Sequence, residues 1–274
     1  MNNLHRDLAP ISDAAWAEIE QEAARTLKRH LGGRKVVDVL GPKGVEHAAV
    51  GTGHKEHIDG PAEGVSALRR EVKPLVEFRV PFTLTRGAID DVERGSKDSD
   101  WDPLKEAARR IAFAEDRAIF DGYAAGGIGG IREKVSNAPI NLPEAVMDYP
   151  EAVAKALSRL RLAGVEGPYA LVLGQDAYTA ASGGSEDGYP VYEHLERLVD
   201  GGIIWAPGIA GGLALSIRGG DFELEIGQDF SIGYQSHTDS AVTLYLQESF
   251  TFRPLTAEAA VSLEPKANQA RRGE

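Results

Sequence analysis

The sequence contains no cysteine among its 274 residues. This absence excludes disulfide bonds, thiolate metal sites and a cysteine nucleophile, and it is typical of a protein from a reducing compartment. Long apolar runs are also absent, since no segment approaches the roughly 18 apolar residues that a membrane-spanning helix needs. The opening stretch MNNLHRDLAP lacks the apolar core of a signal peptide. We therefore expect a cytoplasmic protein with no membrane partner.

The sequence has fewer basic than acidic residues. The chain has 30 Lys and Arg against 42 Asp and Glu, so its net charge is −12. Such a surface is poorly suited to neutralising phosphates, and we expect no nucleic-acid partner. The apolar content of 42% is nevertheless enough for one large core or two modest domains, which predicts a folded protein.

The acid-rich stretch DDVERGSKDSDWDP, residues 90–103, matches a calcium loop only in part. Asp98, Asp100 and Asp102 have the spacing of the first three ligands, but Pro103 and Arg109 stand where the loop needs Gly and a bidentate Glu. We interpret the stretch instead as the lead-in to a helix. Asp102 would be the N-cap and Pro103 the first helical residue, with the other acids favoured by the helix dipole.

Other motif candidates fail on order or context, and we expect no metal site. HKEH, residues 54–57, has neither the order nor the spacing of a zinc-binding helix. GGSEDG, residues 183–188, lacks the second glycine of a nucleophile elbow. GGIGG, residues 126–130, follows a predicted helix and does not join a strand to a helix, as a dinucleotide site requires. These segments are interpreted as turns or solvated loops.

Hydrophobic periodicity predicts the main helices and strands. Apolar residues at helical spacing predict an amphipathic helix over 13–31 and a longer helix over 103–122, which could be the spine of the fold. A helix over 151–163, a buried-type strand after it and a helix starting near Asp176 predict a compact α/β unit. From about Gly202 onward the pattern predicts successive strands.

The segment from Gly41 to about Lys73 is rich in glycine, histidine and charge, with little apolar periodicity. It predicts a long two-stranded excursion that buries little surface by itself, so we expect its stability to come from elsewhere, such as another chain. Residues 74–85 alternate like a strand, and residues 90–102 are predicted to be a charged loop.

Two groups of side chains are open to more than one interpretation. Leu27 and Leu31 lie on the apolar stripe of the first helix, and this stripe fits equally a core-packed helix and a groove for a partner. For the adjacent acids Glu115 and Asp116 we expect an exposed helix face.

Several long, ordered blocks of the sequence resemble the encapsulins, bacterial nanocompartment shell proteins first described as linocin-type bacteriocins, and the actinobacterial members in particular. The resemblance covers nearly all of residues 1–265. The blocks that carry it are LAPISDAAWAEIEQEA, GRKVVDVLGPKG, FTLTRGAIDDVERGSKDSDWDPLKEAARRIAFAEDRAIFDG, LRLAGVEGPYALVL, GYPVYEHLERLVDGGIIWAP, RGGDFELEIGQDFSIGY and LYLQESFTF.

The resemblance implies an α+β protein with the tailed-phage major capsid fold. In that fold a long spine helix belongs to a peripheral domain, an axial domain lies at the symmetry axes, and an elongated loop reaches a neighbouring subunit. The implied division is 1–40 for the N-terminal helix and first strand of the peripheral domain, 41–75 for the elongated loop, 76–135 for the peripheral domain with the spine helix, 136–224 for the axial domain, 225–265 for the return strands of the peripheral domain, and 266–274 for a flexible tail.

The function implied by the resemblance is a non-enzymatic icosahedral shell of 60 copies in the cytoplasm. Encapsulins enclose enzymes that carry a short C-terminal targeting peptide, typically a dye-decolourising peroxidase or a ferritin-like protein, in oxidative-stress response or iron storage. In the family the peptide groove lies between the N-terminal helix and nearby strands. The matching positions are Leu27, Leu31, Arg34, Val36, Asp38, Phe230, Ile232 and Tyr234.

The resemblance also implies a pore and a subunit contact. The segment 182–194 resembles the loop around the five-fold pore, where repeated acids would favour cations. Its pore positions are Ser185, Glu186, Asp187, Gly188 and Tyr189. The charged loop would lie at a subunit interface, with register set by Asp90, Asp91 and Arg94.

No cofactor is expected. Some encapsulins bind flavin at an aromatic residue in the segment matching TLTRGAIDD, but Gly87 and its neighbours offer no ring for stacking. Two other functions are alternatives to the shell. A phage major capsid protein would need a basic inner surface, which a net charge of −12 disfavours. A protease or bacteriocin enzyme lacks support from any nucleophile motif.

Overall fold

The computed structural model describes residues 3–186 and 188–265. The helices are α1 (Asp13–His30), α2 (Arg86–Glu93), α3 (Asp102–Phe120), α4 (Ile131–Lys134), α5 (Tyr149–Leu162), α6 (Gln175–Gly183) and α7 (Val191–Glu196). The strands are β1 (Asp38–Leu40), β2 (Ala49–Ile58), β3 (Ala67–Pro74), β4 (Val76–Thr85), β5 (Ile140–Asn141), β6 (Tyr169–Leu173), β7 (Ser185–Glu186), β8 (Tyr189–Pro190), β9 (Ile203–Trp205), β10 (Gly212–Ser216), β11 (Phe222–Ile226), β12 (Ser231–His237), β13 (Ala241–Pro254) and β14 (Ala260–Glu264). The predicted α+β class is confirmed, as are the three long helices and the strand-rich second half.

The first helix begins and ends as its sequence predicts. The hydroxyl oxygen of Ser12 accepts a hydrogen bond from the backbone N–H of Ala15 at 3.3 Å, which caps the N-terminus of α1. Trp16 and Ile19 are buried along the apolar stripe. Basic residues in the last turn, which ends at His30, complement the negative end of the helix dipole.

The entry to α3 differs from the prediction in one detail. Asp102 is the first helical residue and not the N-cap, a position that Trp101 occupies. The cap is supplied from further back, because the carboxylate of Asp100 accepts the backbone N–H of Asp102 at 3.0 Å. Pro103 is therefore the second helical residue and not the first, but it still lies in the first turn, where its missing N–H costs no hydrogen bond.

The charged loop predicted over 90–102 is wrong in its first part. Residues Arg86–Glu93 form α2, and the hydroxyl oxygen of Thr85 caps it by accepting the N–H of Ala88 at 3.1 Å. The sequence did not predict this helix because Gly87, Asp90 and Asp91 are residues that do not favour a helix interior. Ala88 and Ile89 are buried and hold α2 on the fold.

One sheet is built around the long strand β13. One edge of β13 pairs antiparallel with β4, from Ala241 opposite Thr85 to Phe250 opposite Val76. The other edge pairs with β12 along the first half of β13 and with β11 along the second half. The strand β1 continues the sheet by pairing in parallel with β11.

The second sheet has the order β5-β14-β10-β6-β9. Every residue of β6 and β10 is buried, which explains their continuous apolar runs YALVL and GLALS. The helix α5 packs on this sheet through an apolar face that includes Val153, Leu157 and Leu160. This part of the chain is the compact α/β unit that the sequence predicts.

The strands β2 and β3 form a separate two-stranded hairpin. Among the residues that the structure describes, these strands pair only with each other. The hairpin exposes large apolar side chains, with Ile58 44%, Leu68 48% and Val72 55% exposed. The predicted two-stranded excursion is therefore present, and its apolar surface has no cover within the described part of this chain.

Two apolar clusters make up the interior. One lies between α1, α3, β4 and the first half of β13, and includes Leu244 and Leu246. The other surrounds α5 and the second sheet, and includes Phe250 and Phe252 from the second half of β13. Within residues 3–186 and 188–265, none of the helices combines the length and the apolar character needed to cross a bilayer.

Replacing Phe250 by alanine should lower the free energy of unfolding by about 3–5 kcal/mol. Phe250 is fully buried, and its ring meets that of Phe78 edge-on at a centroid distance of 5.0 Å. Denaturant unfolding followed by circular dichroism measures the change. The control Leu162→Ala removes a side chain that is 86% exposed and should cost less than about 0.5 kcal/mol. Equal losses for the two variants would contradict the core position of Phe250.

Candidate functional site

The predicted peptide groove centres on the contact between α1 and β12. Leu27, Leu31 and Ile232 are at most 7% exposed and belong to one apolar cluster, against which the half-buried Phe230 and Tyr234 pack. The structure thus brings these five predicted residues together. It also answers the question left open by the sequence for Leu27 and Leu31, whose side chains are packed in the chain's own core.

The other predicted groove residues lie beside this cluster. Val36 is buried in the second cluster, around α5. Asp38 begins β1, and its carboxylate accepts the backbone N–H of Gly220 at 2.5 Å. The accessible rim near α1 is therefore left to Phe230, Tyr234 and Arg34.

The N-terminal segment covers part of the outer edge of β12. The backbone oxygen of Leu4 accepts the N–H of Tyr234 at 2.8 Å, and that of Asn3 accepts the hydroxyl of Tyr245 at 3.4 Å. The hydroxyl of Tyr234 also lies 2.6 Å from Nδ1 of His237. These contacts fix the rim of the groove against the N-terminal segment.

Arg34 is the centre of a charge cluster formed with Glu115, Asp229 and Glu248, here called the Arg34 cluster. Its Nε and Nη2 atoms donate to both oxygens of Glu115 at 2.6–3.0 Å. Its Nη1 atom donates to Asp229 at 2.8 Å, and Nη2 also lies 3.3 Å from Glu248. The guanidinium carbon stands 4.4 Å from the ring centroid of Phe230, a cation–π contact.

The expectation that Glu115 and Asp116 lie on an exposed face is wrong, because both residues are fully buried. Asp116 holds the end of α1 in place, since its carboxylate accepts the N–H groups of Gly32 at 3.1 and 2.9 Å and of Gly33 at 2.7 Å. Burial raises the pKa of Asp116 to about 7, while the backbone hydrogen bonds from the two glycines oppose this rise.

These buried acids were missed although the sequence contains a signal for them. Glu115 lies four residues after Ile111 and four before Ile119, so it is on the same face of α3 as two fully buried isoleucines. A charged residue inside an apolar stripe indicates a buried, paired charge more often than a solvated one. Its partner Arg34 is 81 residues away in the chain, which no local pattern reveals.

The predicted interface residues lie on and just after α2. Asp90 and Asp91 are in its last turn, and Arg94 follows as the C-terminal cap. Arg94 forms an ion pair with Asp91 within the chain. Asp90 and Arg94 are exposed, so this face can meet another copy.

The predicted pore loop is a small hairpin in which β7 pairs with β8. Gly188 has a φ of +86°, a turn conformation that favours glycine. Tyr189 lies with its ring centroid 4.4 Å from that of His194. Asp187 and the side chain of Glu186, the two acids of the predicted ring, lie outside the described part of the chain.

In the described residues, no three His, Cys, Asp or Glu side chains come together as a candidate metal site.

Comparison of the whole chain with known proteins identifies its family. The linocin M18 family, described as encapsulating protein for peroxidase, matches residues 1–251. The type 1 encapsulin shell protein of Rhodococcus erythropolis is 60% identical over 263 residues, which cover 96% of this chain and 100% of the relative.

The chain belongs to the encapsulin shell protein family. The predicted family is confirmed, and so is the prediction of a structural shell protein with no enzyme activity.

Solved structures show the fold of this encapsulin chain. The virus-like particle protein of Pyrococcus furiosus superimposes with a TM-score of 0.61 at 18% identity, covering 91% of this chain and 99% of that one. The capsid protein of Myoviridae phage XM1 gives a TM-score of 0.52 at 11% identity, covering 86% and 90%. The predicted tailed-phage capsid fold is confirmed, and at these identities the likeness concerns the fold alone.

Gly32→Ala should destabilise the encapsulin chain by about 1–3 kcal/mol. An added Cβ would lie 2.6 Å from the Cβ of Ala206 and 3.1 Å from a carboxylate oxygen of Asp116, so the junction after α1 must shift. Thermal unfolding of the purified protein measures this loss. Gly51→Ala is the matched control, because a Cβ there meets no atom within 4 Å. A Gly32→Ala variant as stable as this control would show that the junction is loosely packed.

Proposed function

We propose that 60 copies of the chain form an icosahedral compartment in the cytoplasm that encloses a dye-decolourising peroxidase or a ferritin-like protein in oxidative-stress response or iron storage. The observation that carries this proposal is the rim formed by Arg34, Phe230 and Tyr234 beside α1, together with a family described as encapsulating protein for peroxidase. Shell formation itself follows from the family, and cargo capture is the finer step proposed here.

Assembly would use the β2–β3 hairpin as an arm toward a neighbouring copy. The hairpin exposes apolar residues on both strands and has no partner strand within the described residues. An isolated two-stranded hairpin is marginally stable in water, so burial against another copy would stabilise it. We assign residues 41–75 to this elongated loop, 76–135 to the peripheral domain and 136–224 to the axial domain.

Cargo docking would use a short peptide that lies along the rim. Phe230 and Tyr234 offer half-buried rings, and Arg34, Asp229 and the nearby end of α1 supply charge. Such a rim suits an apolar peptide with a few polar groups. Each site would be weak, but many sites face a cargo that carries several peptides, so effective concentration raises the overall affinity.

Two further roles complete the proposal. Asp90, Asp91 and Arg94 would set the register at a subunit contact, where unlike charges on two copies are matched. Ser185, Glu186, Asp187, Gly188 and Tyr189 would surround a five-fold pore, and a ring of acids there would admit cations in preference to anions.

Leu68→Asp should block assembly while leaving the chain folded, because Leu68 is 48% exposed on β3 and its burial would occur only between copies. Light scattering and negative-stain microscopy on the chain expressed alone report particle size, and circular dichroism reports folding. The control His54→Asp adds a negative charge to the same hairpin without removing an apolar side chain. Uniform hollow particles are expected for the wild type and the control. Normal particles from Leu68→Asp would remove the hairpin from the proposed contact.

Phe230→Ser should give normal but emptied shells, because it removes an accessible ring from the rim and leaves Leu27 and Leu31 in the core. Co-expression with a dye-decolourising peroxidase from the same genome, with and without its C-terminal segment, gives the ratio of cargo to shell in purified particles. We expect a loss of about tenfold, the effect of a contact worth about 1.4 kcal/mol. Phe113→Ser, which removes a half-buried ring from α3, should load normally. Undiminished loading by Phe230→Ser would exclude this groove.

A further inference from the structure

The Arg34 cluster contains more acid than base. If Glu115, Asp229 and Glu248 were all ionised, one arginine would face three negative charges, leaving a net charge of −2. Glu115 and Glu248 are both fully buried, so water does not screen them. Two unscreened carboxylates beside a single cation are unfavourable, because burial costs each ion several kcal/mol before pairing.

The geometry divides the arginine unequally between the two buried acids. Glu115 receives the bidentate contact, with Nε at 3.0 and 2.9 Å and Nη2 at 2.6 Å. Glu248 receives a single contact of 3.3 Å from the same Nη2 atom. The Nε–Nη2 edge of Arg34 is taken up by this fork with Glu115, and Nη1 donates to Asp229. Arg34 therefore neutralises Glu115 and leaves Glu248 poorly paired.

The second oxygen of Glu248 points to the same conclusion. Its Oε1 atom is buried and has no hydrogen-bond partner among the described residues. A charged oxygen that is buried without a donor loses its full hydration and gains nothing in return. This cost falls when the carboxyl group carries a proton and no net charge.

We propose that Glu248 holds a proton at neutral pH, and that this proton enables the single residue Arg34 to fix the turn after α1 against α3 and β13. Glu115 and Glu248 are then positioning residues for Arg34. Removal of the proton in alkaline solution leaves two buried charges on one arginine and weakens the junction. Because Arg34 stacks on Phe230, the rim would move with it; this consequence alone rests on the proposed function.

The surrounding charges are compatible with the proposal. Burial raises the pKa of Glu248 well above its usual range. The negative charge of Glu115 raises this pKa further, and so does a hydrogen bond between the two side chains, which requires Glu248 to be protonated. Asp229 adds to the rise, and only Arg34 opposes it. Asp116, whose pKa burial raises to about 7, is next to Glu115 in α3, and the charge of Lys35 in the turn opposes this rise.

The direction of the pH dependence follows from the raised pKa of Glu248. An acid that binds its proton more tightly in the folded chain stabilises that chain at low pH. This stabilisation is lost as the pH rises from the unfolded value of about 4.5 through the higher folded value. In that window one extra proton in the folded state changes the unfolding equilibrium constant by up to tenfold per pH unit.

The test compares the wild type with Glu248→Gln, which keeps the shape of the side chain and removes its titration. Unfolding of both purified proteins in denaturant is followed from about pH 5 to about pH 9, a range above the usual carboxyl pKa. The wild type should lose stability relative to Glu248→Gln as the pH rises. Glu151→Gln, a control on an exposed ion pair of α5, should follow the wild type. A constant difference between wild type and Glu248→Gln at every pH would overturn the proposal.

A second measurement covers the case in which Glu248→Gln does not fold. Wild-type protein is labelled with carboxyl-¹³C glutamate, and infrared spectra are recorded at about pH 7, where ordinary glutamates are ionised. A protonated glutamate carboxyl band that disappears at higher pH would support the proton on Glu248. The label excludes Asp116 as its source. Absence of this band in the folded wild type would overturn the proposal.

Discussion

The pairing of Arg34 with buried carboxylates is the interaction on which the joint between α1 and the two sheets depends. The chain leaves α1, passes between α3 and β13 and enters β1 within a few residues. Such a short passage cannot build an apolar core of its own. Hydrogen bonds take its place, donated by the backbone N–H groups of Gly32 and Gly33 to Asp116 and by Arg34 to Glu115. A buried charge network of this kind adds little net stability, but each missing partner is costly, so it enforces one geometry.

The function of a protein with this fold depends on its accessible surface groups and not on the architecture. The protein shares its fold with a phage capsid protein at 11% identity, so the architecture alone does not separate a genome container from an enzyme container. What separates them lies in the accessible groups. A net charge of −12 disfavours the packaging of nucleic acid, and the site that we propose for a cargo peptide is the rim of rings and charges beside α1.

The sequence predicted elements correctly wherever the apolar residues followed a single helix or strand periodicity. The stripe of Trp16 and Ile19 and the alternation of β4 predicted their elements, because burial on one face repeats every turn or every second residue. It failed for α2, where a single glycine and two acids obscured a helix stabilised by its cap at Thr85 and by packing. The accessible parts of the groove could be proposed only through the family resemblance.

The charge cluster shows a different limit of sequence reasoning. Its members come from four segments up to 214 residues apart in the chain. No composition or spacing connects them. The position of Glu115 in the apolar stripe of α3 indicates burial, but nothing in the sequence identifies Arg34 as its partner. Long-range pairing of this kind is decided by topology, and only its cost can be anticipated from the residue type.

The strand β13 has a consequence for how the chain comes apart. Its first half supplies Leu244 and Leu246 to one apolar cluster, and its second half supplies Phe250 and Phe252 to the other. Fourteen residues of continuous backbone therefore connect the two interiors with no loop between them. A displacement of one end of β13 is transmitted to the other end, because the strand is hydrogen-bonded to neighbouring strands along its length. Unfolding of either interior therefore removes packing from a strand that the other interior also needs, which couples the stabilities of the two halves.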